Sequence, residues 1–139
     1  MEKLSKYKFK RLYLNLKNEA TKTKKAKTRT PSAPERKFSL LWAAIVPHLT
    51  LQPEFRFSAL RRWRFDFAHE QTKTAIELEG GIWKQGRHLR PVGFSKDCEK
   101  YLEATLCGWT VFRLTPELIN TKTVKSIAEF MTSKWGVEK

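Results

Sequence analysis

Two neighbouring segments of alternating polarity constrain the fold more than any other feature of this sequence. Residues 62–69 place Trp63, Phe65 and Phe67 at every second position, and residues 73–79 follow after a short connection. Alternation with period two is typical of a β-strand that buries one face, so we expect the three aromatic side chains on a common face. Strands joined by so few residues pair antiparallel. The two segments therefore predict a pair of antiparallel strands.

Two further strands and three helices complete the predicted architecture. Residues 54–57 alternate just before the pair, which makes a three-stranded meander, and residues 109–114 form a fourth strand that can lie parallel to one of the others. The helices are predicted over residues 38–49, 95–107 and 115–135. Gly108 closes the second helix and Pro116 starts the third. The order helix, three strands, helix, strand, helix predicts an α/β domain over residues 38–139.

Positive charge is concentrated near the start of the chain. The 139 residues include 28 Lys and Arg and 14 Asp and Glu, a formal net charge of +14. Residues 1–37 alone hold 13 basic and three acidic residues, a net charge of +10. Residues 20–34 contain no large apolar side chain, so we expect a flexible linker within a basic N-terminal arm of residues 1–37. Such an arm either keeps the chain soluble or binds nucleic-acid phosphates by counterion release.

Several classes of protein are excluded by the sequence. No apolar run approaches the roughly 18 residues of a membrane span, and the first residues contain no apolar signal-peptide segment. Cys98 and Cys107 are the only cysteines, too few and too far apart for a disulfide framework or a cysteine zinc site. We therefore expect a cytoplasmic protein with a polyanionic partner and with neither a membrane nor a small-molecule substrate.

Three acidic residues stand out on the predicted second and third strands. Asp66 points away from the aromatic face of its strand, and Glu77 and Glu79 share one face of the next strand. If the strands pair about their short connection, these carboxylates lie close together and raise one another's pKa unless a cation lies between them. Either neighbouring arginine and lysine side chains pair with them, or they hold Mg²⁺ with the carbonyl oxygen of Leu78, waters and a phosphate oxygen. A metal in such a site activates water for phosphodiester hydrolysis.

Three strings of residues carry a family resemblance: RFDF at 64–67, IELEG at 76–80 and GWTVFR at 108–113. Together they resemble the PD-(D/E)XK nuclease superfamily, and more closely its branch of very-short-patch repair endonucleases and small phage or prophage endonucleases. The resemblance implies a restriction-endonuclease-like αβββαβ core, a mixed four-stranded sheet flanked by helices. It also implies a Mg²⁺-dependent DNA endonuclease, with Mn²⁺ as a substitute, encoded by a phage or bacterium and acting in DNA processing, repair or recombination.

The resemblance also assigns roles by position. It implies that Asp66 and Glu77 bind the metal and that Glu79 stands where the family has lysine. Glu79 then either polarises the attacking water or takes a metal, and Lys73 or another lysine, Lys84, replaces the missing cation.

The loop predicted after the third strand, residues 82–92, adds a histidine and several cations. His88 either assists the attack or the departure of the leaving group, as the resemblance implies, or is an exposed loop residue. Lys100 and Asp97 lie one helical turn apart and form either a surface ion pair or a group that orients the phosphate or the acids. The predicted DNA contacts are Arg62, Arg64, Lys73, Trp83, Lys84, Arg87, Arg90 and Lys100.

The sequence is compatible with three functions. A metal-dependent DNA endonuclease explains both the acids and the basic charge. The alternative is a catalytically inactive DNA-binding protein on a degenerate nuclease fold, which the lysine missing at position 79 would mark. A basic RNA-binding protein explains the charge but not three carboxylates on adjacent strands. Monomer and homodimer are equally compatible with the sequence.

Overall fold

A mixed four-stranded sheet lies at the centre of the structure, a computed structural model that describes residues 29–80 and 91–136. In order across the sheet, the strands are β1 (Gln52–Arg56), β2 (Arg64–His69), β3 (Thr74–Leu78) and β4 (Thr110–Leu114). The first three pair antiparallel, and β4 pairs parallel with β3. The predicted meander and the parallel fourth strand are confirmed.

Three helices flank the sheet in the predicted order. They are α1 (Ala33–Ile45), α2 (Pro91–Leu106) and α3 (Thr121–Gly136), with a short 3₁₀ helix at Pro116–Leu118. The sequence predicts a third helix that starts at Pro116, but the chain leaves the helical conformation at Ile119, and the side chain of Asn120 accepts the N–H of Thr123 at 2.9 Å to cap α3. As predicted, α2 is followed by Gly108, whose φ of +84° suits glycine. Along the described ranges, no helix is both long and apolar enough to cross a membrane.

The start of α1 lies before the predicted position. Ser32 caps the helix, because its hydroxyl accepts the N–H of Glu35 at 3.4 Å while the Glu35 carboxylate accepts the N–H of Ser32 at 2.6 Å. Pro34 follows in the first turn, where its fixed φ suits a helix start. The predicted flexible linker is therefore wrong for its last residues, 32–34, and its residues 20–28 lie outside the described part of the chain.

Two apolar clusters cover the two faces of the sheet. The first joins α1 and α3 to Phe67 and Ile76. The second joins Phe65 and Ala75 to Ala104 of α2. Ala75 and Ile76 are adjacent on β3 and so point to opposite faces, which places the two clusters on opposite sides of the sheet.

The alternation of side chains in β2 shifts by one residue at Asp66. Phe65 lies in the second cluster and Phe67 in the first, so the prediction that Phe67 shares a face with Phe65 is wrong. Across the ladder, Glu54 lies between the partners of Phe65 and Phe67, and its φ is +51°. A non-glycine residue in this region costs about 1–3 kcal/mol and is often found at functional sites. The irregular step of the β1–β2 ladder therefore coincides with two acidic residues.

Candidate metal centre

Three carboxylates from three different elements meet at this irregular step. Oxygen atoms of Glu35 in the first turn of α1, Glu54 on β1 and Asp66 on β2 all lie within 4.8 Å of one another. Of the three, only Asp66 was a predicted site residue. The Ser32-x-x-Glu35 spacing marks a helix start and so could have located Glu35, but no sequence signal joins that helix start to β2.

Asp66 is the most constrained of the three side chains. Its Oδ2 accepts the N–H of Leu78 at 2.8 Å, which ties β2 to the end of β3. Burial raises the pKa of Asp66, the Leu78 hydrogen bond opposes that rise, and the nearby charge of Glu35 adds to it. The Leu78 carbonyl, a predicted metal ligand, accepts the N–H of Gly80 at 3.1 Å. A cation beside Asp66 would stabilise its ionised form and so offset the effects of burial and of repulsion from Glu35 on its pKa.

A guanidinium group contacts two of the carboxylates. Arg29 Nη2 lies 2.5 Å from Glu35 Oε1 and 2.9 Å from Glu54 Oε1, and hydrogen bonds to both carboxylates raise the pKa of Arg29. Arg64 Nη1 lies 3.9 Å from the other oxygen of Glu54. Arginine side chains therefore neutralise part of the charge of the cluster, and a metal ion would compete with Arg29 for the same oxygens.

The donor set fits a hard divalent cation. Mg²⁺ and Ca²⁺ bind carboxylate oxygens at about 2.0–2.6 Å, so oxygens on opposite sides of one ion are separated by about 4–5 Å. The ligand atoms of Glu35, Glu54 and Asp66 span no more than 4.8 Å. All three donors are carboxylates, and Mg²⁺, Mn²⁺ and Ca²⁺ prefer such oxygen ligands to softer sulfur ligands.

Glu77 lies beside this cluster but pairs with a lysine from α2. Its Oε1 accepts a hydrogen bond from Lys100 Nζ, and only 11% and 16% of these two side chains are exposed. Burial raises the pKa of Glu77 to about 7, against the lowering by Lys100, and the charge of Asp66 contributes to the rise. Asp66 and Glu77 are thus within electrostatic range of each other, with Lys100 beside them.

Glu79 and Lys73 are placed elsewhere. Glu79 accepts a hydrogen bond from Arg113 Nε at 2.6 Å, across to β4. This bond raises the pKa of Arg113 although burial alone would lower it. Lys73 precedes the other end of β3, where its Nζ lies 5.1 Å from the ring centre of Trp109. The structure therefore brings neither Glu79 nor Lys73 into the carboxylate cluster.

The predicted DNA contacts are divided between described and undescribed residues. Arg62 and Arg64 are exposed near the start of β2, and two further exposed arginines that the sequence did not single out, Arg56 and Arg61, lie close by in the chain. The predicted contacts in the loop after β3, and its histidine, lie outside the described residues: Trp83, Lys84, Arg87, His88 and Arg90.

No family model matches this sequence, and no curated protein does either. Among solved structures, the chain is similar to the homing endonuclease I-Bth0305I catalytic domain, with a TM-score of 0.56 and 21% sequence identity, over 75% of this chain and 98% of that one. A likeness at this level of identity establishes the fold alone. The α/β fold predicted from the sequence, a mixed four-stranded sheet flanked by helices, is therefore confirmed, and it is a fold that a nuclease catalytic domain also adopts.

Proposed function

We propose that this protein is a metal-dependent DNA endonuclease that hydrolyses phosphodiester bonds. The observation that carries the proposal is the convergence of Glu35, Glu54 and Asp66 in a chain with a net charge of +14. Acidic groups gathered in a basic protein repel a polyanionic partner unless a cation joins the two. The fold shared with a nuclease catalytic domain supports the same conclusion.

Mg²⁺ is the proposed ion, with Mn²⁺ as a substitute. Glu35, Glu54 and Asp66 would hold it, and Asp66 is the member that this set shares with the predicted ligands Asp66, Glu77 and the Leu78 carbonyl. When bound, the ion supplies Lewis-acid activation of water and neutralises charge at the phosphate. Two of the three carboxylates are held in position by backbone hydrogen bonds. Asp66 accepts the N–H of Leu78, and Glu35 accepts the N–H of Ser32.

Glu77 is the proposed base of the reaction, and Lys100 the cation that orients it. A carboxylate with a pKa of about 7 exchanges a proton near neutral pH, as general acid–base catalysis requires. The hydrogen bond from Lys100 fixes one carboxylate oxygen. A lysine from α2 thus supplies the positive charge that position 79 lacks. His88 keeps the role that the family resemblance implies, whereas Glu79, which pairs with Arg113, is not assigned to the base or to the metal.

Contacts to DNA phosphates are assigned to the residues that the sequence predicted for this role. Arg64 lies 3.9 Å from Glu54 and Lys100 contacts Glu77. The other residues assigned to the surface are Arg62, Lys73, Trp83, Lys84, Arg87 and Arg90. The basic arm of residues 1–37 adds affinity that does not depend on sequence. We further propose that the protein belongs to the PD-(D/E)XK superfamily. It would be encoded by a phage or bacterium and act in DNA processing, repair or recombination.

One observation favours the alternative, a DNA-binding protein without activity. Arg29 already pairs with Glu35 and Glu54, so the cluster has a partner without any metal. In that case the acids would hold the chain segment before α1 in place and have no catalytic role.

Nicking of supercoiled plasmid separates the two functions. We expect nicking with Mg²⁺ or Mn²⁺ and none in EDTA, and we expect Asp66→Asn and Glu35→Gln to slow it by about 100-fold or more, since even residues behind metal ligands are worth about 10–100-fold. Glu129→Gln, an exposed acid on α3, is the control and should cleave like the wild type. A folded wild-type protein that binds DNA but is as inert as Asp66→Asn with both metals would establish the alternative.

A further inference from the structure

The connection between β1 and β2 carries an exposed leucine among arginines. Leu60 is 63% exposed, and Arg61 and Arg62 follow it directly. Arg56 and Arg64, which face each other at the ends of the two strands, are exposed as well. In the described parts of the chain, the other exposed large apolar side chains lie on helices: Leu40, Phe94, Leu102, Leu106, Leu118 and Trp135.

The protein holds this connection in place at its base. Phe57 is buried and stacks on Phe65, with ring centres 4.1 Å apart. The buried hydroxyl of Ser58 accepts the N–H of Arg61 at 3.0 Å, and the Arg56 side chain donates to the Ser58 carbonyl at 3.3 Å. The turn around Leu60 is therefore closed by hydrogen bonds, and its leucine is presented to solvent.

The connection is also short enough to act on DNA at the metal centre. Leu60 is six residues from Glu54 along one strand and six from Asp66 along the other. At about 3.3 Å per residue, the leucine lies within about 20 Å of the carboxylates, which is about six base pairs of DNA.

We propose that Leu60 is a wedge that enters the DNA between two base pairs close to the cleaved phosphate. The inference rests on the proposed function. Proteins that kink DNA insert an apolar side chain between base steps while arginines hold the backbone on either side. Leu60 provides the apolar side chain, and Arg61, Arg62 and Arg64 bind the backbone. The kink would turn the duplex toward the carboxylates.

Fluorescence of 2-aminopurine tests the wedge without any cleavage. The full chain is added to a duplex of about 25 base pairs that carries 2-aminopurine at several adenine positions, in metal-free buffer with EDTA, and binding is followed separately by anisotropy. The base brightens when it is unstacked, so we expect fluorescence to rise as the wild-type complex forms. Leu60→Ala should abolish most of that rise while its Kd changes by less than about tenfold, because the weaker apolar packing is offset by the unstacking energy that is no longer spent. Leu60→Phe should keep the rise.

Leu40→Ala is the matched control, since Leu40 is 73% exposed but lies on α1. It should behave like the wild type. Binding without a fluorescence rise, or an equal rise with Leu60→Ala, overturns the wedge whether or not the protein nicks plasmid. Failure of the proposed function shows differently, as absent DNA binding or absent metal-dependent nicking by the wild type.

Discussion

Arg29 contacts the carboxylates that would bind a divalent cation at the candidate metal centre. Its guanidinium contacts Glu35 and Glu54, and 58% of the side chain is exposed. An exposed arginine forms weak ion pairs, worth about 0.2–1 kcal/mol each. A metal ion at the proposed centre would therefore have to displace an interaction of modest strength, so we expect Arg29 to lower the metal affinity without blocking binding.

Replacement of Arg29 should strengthen metal binding. We expect Arg29→Gln to lower the Kd for Mg²⁺ or Mn²⁺ by about fivefold, since two exposed ion pairs are worth about 1 kcal/mol together. Isothermal titration calorimetry measures this change. Arg36→Gln is the control, because Arg36 donates to the Pro31 carbonyl instead of to a carboxylate. Unchanged or weaker binding in Arg29→Gln would contradict competition between arginine and metal.

Glu77 should make stability depend on pH near neutrality. Its pKa is about 7 in the folded protein and 4.5 in its unperturbed state, so the folded form binds the proton more tightly. The stability contributed by this group is complete below pH 4.5 and declines as the pH rises through 7, by up to about 3 kcal/mol.

Urea unfolding at a series of pH values measures this contribution. The difference in unfolding free energy between the wild type and Glu77→Gln should change steadily from pH 4.5 to pH 7, with the wild type losing stability relative to the variant. A difference that does not vary with pH would show that the ion pair with Lys100 outweighs the burial of Glu77.

At the scale of elements, α1 both packs into the core and carries one carboxylate of the candidate metal centre. Phe38 and Trp42 bury one side of the helix against the sheet, and Glu35 in its first turn reaches the carboxylate cluster. The capping box that starts the helix also fixes the Glu35 carboxylate, since Ser32 and Glu35 exchange hydrogen bonds. The helix start and the metal centre are therefore coupled.

Removal of the cap should weaken metal binding as well as folding. We expect Ser32→Ala to lower the free energy of unfolding by about 1 kcal/mol, the usual value of an N-cap, and to weaken Mg²⁺ binding because the first turn that holds Glu35 loosens. Asn120→Ala removes the cap of α3 and is the matched control. It should cost similar stability and leave metal affinity unchanged. Equal metal affinity in the two variants would uncouple the helix start from the centre.

At the scale of the whole molecule, charge is distributed unevenly. Residues 1–37 carry a net charge of +10 out of +14, and the carboxylate cluster forms where the first turn of α1 meets β1 and β2. The segment that would attract DNA thus leads directly into the candidate metal centre, because Glu35 lies at its end.

The basic segment should control the salt dependence of DNA binding. We expect replacement of Lys22, Lys24, Lys25 and Lys27 by Gln to reduce the slope of log K against log salt concentration by about 0.9 for each DNA phosphate that the variant no longer neutralises. Anisotropy titrations at several salt concentrations measure the slope. The same four positions changed to Arg should keep it. An unchanged slope in the Gln variant would assign these lysines to solubility alone.

The sequence by itself determined the order of elements and the meander, and it allowed a parallel fourth strand, whose pairing with β3 the tertiary structure decided. Periodicity is a local property, and short connections leave few ways to pair strands. Composition likewise determined the polyanionic character of the expected partner. The exact helix starts were harder to predict, because Ser32 and Asn120 act as caps only once their neighbouring turns have formed.

Only the tertiary structure decided which acidic residues meet. The sequence grouped Asp66 with Glu77 and Glu79 because they lie on adjacent strands, but the shift of alternation at Asp66 turns it toward Glu35 and Glu54. Glu77 and Glu79 instead lie next to cations from α2 and β4. Local patterns report which face of an element is buried, whereas the meeting of distant side chains depends on how a helix packs across a sheet.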